Sequence, residues 1–168
     1  MTRLARLCIP LLAVTSAATA TPPGRPVKYS YTGPSFIDSQ GCLTTTMHAS
    51  FILTLAARLP ANFAGYVMPL AWMASNGLHN FRNSSPGTNM DAFWFATGAD
   101  GHITQWTAQA YSYDKAGALN YAAASHHQAD AAAYDTASDW CGKKTPPGTQ
   151  ATGHGTEDDA LAGGWMQP

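Results

Sequence analysis

The side chains able to do chemistry form separate groups along the chain. His126, His127 and Asp130 cluster late in the sequence, with Asp135 and Asp139 close behind. On a helix, His126 and Asp130 would sit at i and i+4 on one face, and such a pair can hold two positions of a zinc or copper site. A third ligand would have to come from His48, His79 or His102. No H-E-x-x-H and no paired C-x-x-C is present, so the spacing is unspecific and solvated polar residues are the plainer reading. The second group is aromatic: Trp94, Trp106 and Tyr111, in company with Trp72 and Tyr113. Rings on an exposed sheet face can stack on sugar rings or seat an apolar ligand, whereas rings turned inward are ordinary core.

Other mechanisms find little support. There is no G-x-S-x-G elbow. Glycoside hydrolysis needs facing carboxylates, and acids are scarce outside Asp130 to Asp139 and Glu157-Asp158-Asp159. Asp100-Gly101-His102-Ile103 is similar to the core of an EF-hand loop. Placing Asp100 at the fifth loop position, however, puts Ala96, Gly98 and Thr107 where carboxylates belong, so the turn is geometric.

Length and composition bound the rest. A chain of 168 residues suits one domain. Arg3 and Arg6, the short apolar run Leu7 to Val14 and the small residues Ala18-Thr19-Ala20 read as a signal peptide over residues 1–20. That run is too short to span a bilayer, so no membrane span is expected after cleavage. Arg6 and Leu7 before Cys8 exclude a lipoprotein signal. Cys42 and Cys141 then remain, and in an oxidising compartment a disulfide between them is expected. Closing a loop of about 100 residues would contribute about 4–5 kcal/mol. A net charge of −1 without a basic patch argues against nucleic acid. Secretion or a periplasmic location follows, and no cofactor is implied.

The elements that must position these groups are mostly strands. Val27 to Thr32 alternates. Met47 to Ala57 sets Met47, Ala49, Phe51, Leu53, Leu55 and Ala57 on one face, the pattern of a half-buried strand. Tyr66 to Ser75 reads as another, with Pro69 at an edge or bulge and Asn76-Gly77 as a two-residue type I′ turn. Asp91 to Tyr113 is a hairpin about Gly98-Ala99-Asp100-Gly101. The opposite parity of Ile103 and Trp106 calls for two covered faces or a bulge. Lys115 to Asp139 is Ala-rich. Propensity favours a helix over Leu119 to Tyr134, but Leu119, Tyr121 and Tyr134 mark no strong apolar stripe, which leaves an irregular excursion as the alternative. The domain is expected to cover residues 27–150, followed by a flexible tail over 151–168.

The order of landmarks resembles one bacterial family. YSYTGPSF at Tyr29 to Phe36, Leu59-Pro60-Ala61-Asn62, Met68-Pro69-Leu70 before Asn76-Gly77, and the hairpin Phe93 to Trp106 follow the family's YTYTG-like start, LPxN-like turn, PLxFxFxDG-like strand and FxFxTDxxGxIxxW-like hairpin. Its members are exported β-rich proteins that often carry a PEP-CTERM sorting tail. A weaker echo lies in Asp130-Ala131 and Pro147-Gly148-Thr149, although Gln150 stands where the family has Trp. The resemblance implies export and association with the cell surface or an extracellular polymer, and no established reaction. The sorting tail is absent, which suggests a released or periplasmic member.

These observations predict an all-β domain, an antiparallel β-sandwich, jelly-roll-like, of about seven or eight strands with a long Ala-rich excursion near the C-terminus. The expected role is a non-catalytic extracellular module binding polysaccharide or matrix, with Trp94, Trp106 and Tyr111 as candidate ligand residues. A hydrolase acting on an extracellular polymer and a small periplasmic metal-binding protein using His126, His127 and Asp130 are the alternatives.

Overall fold

The computed structural model describes residues 25–39, 41–128, 131–139, 149–154 and 165–166. The expected signal peptide, Asp130 and Cys141 lie outside them. The fold is all-β and antiparallel throughout. Its strands are β1 (Val27–Thr32), β2 (Asp38–Ser39), β3 (Ser50–Leu55), β4 (Ala64–Tyr66), β5 (Ala71–Ser75), β6 (Asn80–Arg82), β7 (Thr88–Thr97), β8 (Ile103–Tyr113), β9 (Leu119–Gln128), β10 (Ala131–Asp139) and β11 (Thr149–His154). A four-stranded sheet has the order β1-β3-β5-β6, and a seven-stranded sheet the order β2-β11-β10-β9-β8-β7-β4. The chain alternates between sheets over β1 to β4, as in a jelly roll, and then runs β7 to β11 as a simple meander.

Alternation along each strand builds the core between the sheets. Phe51, Leu53 and Leu55 of β3 face Phe93 and Phe95 of β7 and Trp106 of β8, all buried. Phe51 meets Phe93 edge-on at 6.2 Å, and Trp72 meets the same ring at 6.2 Å. The bulge anticipated from Ile103 and Trp106 is present: the register shifts between Ala96 and Thr97, leaving Thr104 unpaired in the β7–β8 ladder. Among the described residues, no helix is long and apolar enough to cross a membrane.

Several expectations are corrected. Residues 119–128 and 131–134 are not helical or irregular; they form β9 and part of β10. A helix there would bury almost nothing. As strands, the segment aligns Ala110, Ala123 and Ala137 in register, and these small inward residues sit at 0%, 0% and 4% exposure under the large rings of the other sheet. Packing overrides propensity. This segment and the short β2, β4 and β6 raise the strand count above that expected.

Tyr66 to Ser75 is not one strand. The chain leaves the large sheet after Tyr66 and joins the small one at Ala71. Pro69, which has no N–H to give a ladder, stands in the crossover. Met68 and Leu70 are therefore exposed, not aligned with Trp72. Asn76-Gly77 is not a type I′ turn, since only Gly77 has positive φ there (92°). Asn76 is instead buried, and its Oδ1 accepts from the backbone N–H groups of Leu78 (3.0 Å) and His79 (2.7 Å). Nor is residue 151 the start of a loose tail. β11 pairs with β10 and β2 through residues 149–154. Trp165 packs edge-on against Phe95 at 5.0 Å, with Met166 bridged to Ser30.

The sequence landmarks prove to be joints. Tyr29 accepts the Leu59 N–H on its hydroxyl at 2.8 Å. Thr97 donates to the Pro60 carbonyl at 2.6 Å and accepts from Phe63 N–H at 2.9 Å. Asn62, at φ 55°, donates its N–H to Gly98. The start of β1, the 59–62 turn and the β7–β8 hairpin are thereby tied together.

Candidate functional site

The outer face of the seven-stranded sheet carries the most open set of interacting side chains. Residues paired across a ladder point to the same side. Tyr66 pairs with Trp94, Trp94 with Thr107, Thr107 with His126, and His126 with Tyr134. These five residues of β4, β7, β8, β9 and β10 make one continuous row, with the core residues Phe93, Phe95 and Trp106 on the opposite side. At ~4.8 Å between strands the row is about 19 Å long. Trp94 is half-buried, and among the described residues no second sheet covers it. Its flank is a depression of about 300 Å³ lined by Tyr66, Trp94, Gln105, Thr107 and Gln128. Tyr66 is 76% exposed and Tyr134 37%.

Around the row this face is small or amide-bearing: Ala92, Ala96, Gln109, Ala122, Ala124, Thr136 and Ser138. At these outward ladder positions there is no Asp, Glu, Lys or Arg. His126 is held from two sides. Gln109 donates its amide to His126 Nε2 at 2.8 Å, and Nδ1 faces the Thr107 hydroxyl at 3.3 Å. The ring stacks on Tyr134 at 4.8 Å and 20°. Burial pushes its pKa below the ordinary histidine value, so the row from Tyr66 to Tyr134 is uncharged at neutral pH.

The candidate residues separate. Trp94 lies on this face. Tyr111 shares it, half-buried and beside Tyr113 at 6.2 Å, but it stands four residues from Thr107, about 13 Å along β8. Burial, then the charge of Asp91, raises its phenol pKa. Trp106 is a correction: it is 3% exposed and faces the core, so it has no open ring for a ligand. The metal set is also corrected. In a strand, adjacent residues point to opposite faces, and His127 turns inward against Trp106 at 4.8 Å while His126 faces out. Asp130 is outside the described residues, and among those described no group of three or more His, Cys, Asp or Glu could hold a metal.

The burial of two carboxylates, Asp135 and Asp139, is not legible in the sequence. Asp135, 1% exposed, accepts from the Tyr31 hydroxyl at 2.9 and 3.1 Å. It also faces its ladder partner Ser125, whose Oγ accepts the Trp106 indole N–H at 2.9 Å. Burial pushes the Asp135 carboxyl up to about 6, opposed by hydrogen bonds from Ser125 and Tyr31. Burial, then the Asp135 charge, raises the Tyr31 phenol. Gly33 makes room for this network, since a Cβ there would overlap the Asp135 carboxylate.

Asp139, 0% exposed, holds the second cluster. Its Oδ2 lies 2.7 Å from His79 Nδ1 and accepts from Asn76 Nδ2 at 2.8 Å. His79 stacks on Tyr121 at 4.4 Å. A carboxylate-oriented imidazole is half of a catalytic triad. Among the described residues, however, no nucleophile hydrogen-bonds to its Nε2. The cluster instead joins the β5–β6 turn of one sheet to β9 and β10 of the other. Both carboxylates point into the sandwich and away from the Trp94 face. Parity along β8 could have flagged Gln105, Thr107 and Gln109 as outward companions of Trp94; Tyr66 and Tyr134 become neighbours only through pairing.

Comparison with known protein families, curated proteins and solved structures finds no match for the chain.

Proposed function

We propose that this protein is a secreted, non-catalytic module that binds extracellular polysaccharide through the outer face of its large sheet, centred on Trp94. The observation that carries the reading is a built surface across β4, β7, β8, β9 and β10 with aromatic rings, amides and hydroxyls but no formal charge at the outward ladder positions of those strands. Sugar rings present the matching chemistry: apolar C–H faces for stacking and hydroxyls that both donate and accept. The side-chain amides of Gln105 and Gln128, beside Trp94, supply both functions.

The signal-peptide pattern of residues 1–20 and the resemblance to exported, cell-surface-associated proteins support an extracellular setting. A Cys42–Cys141 disulfide is part of the proposal: Cys42 Sγ is 3.7 Å from Asp139 Oδ1, two residues before Cys141 in the sequence.

The test is affinity electrophoresis or pull-down against a panel of insoluble and soluble polysaccharides. Retention by at least one polymer is expected, and Trp94→Ala should weaken it about 30-fold or more, as truncation of a central aromatic anchor does. A matching circular-dichroism spectrum and melting temperature would show that the variant is folded. No retention on any polymer, or retention indifferent to Trp94→Ala, refutes the reading.

A further inference from the structure

Resting on that polysaccharide reading, we infer that the ligand is a neutral, extended glycan chain laid across the strands, along the row from Tyr66 through Trp94 and His126 to Tyr134.

The direction follows from where the rings are. Along β7 itself, the outward neighbours of Trp94 are Ala92 and Ala96, which offer a ligand no stacking surface. Across the strands, rings occur on β4, β7, β9 and β10, with the Thr107 hydroxyl between them on β8. The strand spacing of ~4.8 Å is close to the advance per residue of an extended β-linked glycan, so a row of about 19 Å faces about four or five sugars. The His126 ring is already fixed by Gln109, Thr107 and Tyr134. Little rotamer freedom is then left to lose when a sugar stacks there.

Charge selects the class of polymer. A polyuronate or sulfated glycan would lie over a surface whose ladder positions hold no Lys or Arg. Its carboxylates would be desolvated without a partner. A neutral chain meets no such penalty. Sheet twist selects further: adjacent strands rotate by about 20–25°, so the row winds. A single chain that can follow the winding fits better than the flat face of a crystalline polymer.

The experiment is titration calorimetry of the full chain with cello- and xylo-oligosaccharides of increasing length and with oligogalacturonates as the anionic control. Affinity for at least one neutral series should climb to about four or five units and then level off, matching the row length. Tyr134→Ala should cost about tenfold on the longest oligomer and almost nothing on the disaccharide. Tyr111→Ala, off the row, should change neither. Affinity that levels off at the disaccharide, equal binding of oligogalacturonate, or a Tyr111→Ala loss matching that of Tyr134→Ala would overturn this geometry while leaving polysaccharide binding intact. Retention of no polysaccharide in the panel would remove the underlying reading and this inference with it.

Discussion

Replacing Asp135 by Asn should make the protein markedly less sensitive to pH between about 4 and 7. Asp135 is 1% exposed and its partners, Tyr31 and Ser125, are neutral donors. No cation offsets its desolvation in that network, so burial raises its pKa from 3.8 to about 6. The folded state therefore holds the proton more tightly than the unfolded state. Stability from this group is fully present below pH 3.8 and is lost as pH rises through about 6. A shift of about 2 units corresponds to about 3 kcal/mol, or about 10 °C in melting temperature for a domain of this size. Asn keeps the acceptor oxygen and the shape but does not titrate. Urea unfolding and thermal melts of both proteins at intervals from pH 4 to pH 8 provide the assay. The variant's stability relative to wild type should rise by about 3 kcal/mol from the acid end to the neutral end, whatever constant offset the substitution adds. Other titrating groups cancel in that difference. Parallel stability curves for the two proteins across this range would refute the account, because they would mean that Asp135 ionises no differently in the folded and unfolded chains.

Further outcomes follow from the joints between the sheets. Gly33→Ala should cost more than about 3 kcal/mol through overlap with Asp135, and its cost should shrink in an Asp135→Ala background, which a double-mutant cycle in urea would detect. Asn76→Ala should lower stability by about 3 kcal/mol, since it removes donors to Asp139 and the Ser138 carbonyl and the acceptor for the Leu78 and His79 amides; an unchanged urea midpoint would contradict the clamp. Trp165→Ala should cost about 3–5 kcal/mol as a core truncation, whereas a dangling residue would leave the melting temperature within error.

What could be read from the chain alone depended on how local the cause was. The period-two alternation of Phe51, Leu53 and Leu55, and of Phe93 and Phe95, is imposed by burial on one side of a strand, so it is written in consecutive residues. The β7–β8 hairpin was legible for the same reason, and even its bulge showed as a parity change between Ile103 and Trp106. The Ala-rich segment was not legible. Its state is decided by packing against the other sheet, which buries Ala123 and Ala137, and that information lies on distant strands. Trp165 likewise reads as an isolated aromatic in a Gly-rich tail until β1 and β7 are placed beside it.

The candidate site divides along the same line. By itself, the sequence determined an all-β chain and the presence of Trp94 on the strand face opposite Phe93 and Phe95, because side-chain direction alternates with residue number. Only the tertiary structure decided that this face is open, that Trp106 belongs to the core, and that His126 and His127 part to opposite sides. It also decided that Tyr66, Trp94, Thr107, His126 and Tyr134 form one row, and that Asp135 and Asp139 are buried. Pairing register brings together residues from five strands spread over nearly seventy positions of sequence, and no local pattern encodes which residue will stand beside which.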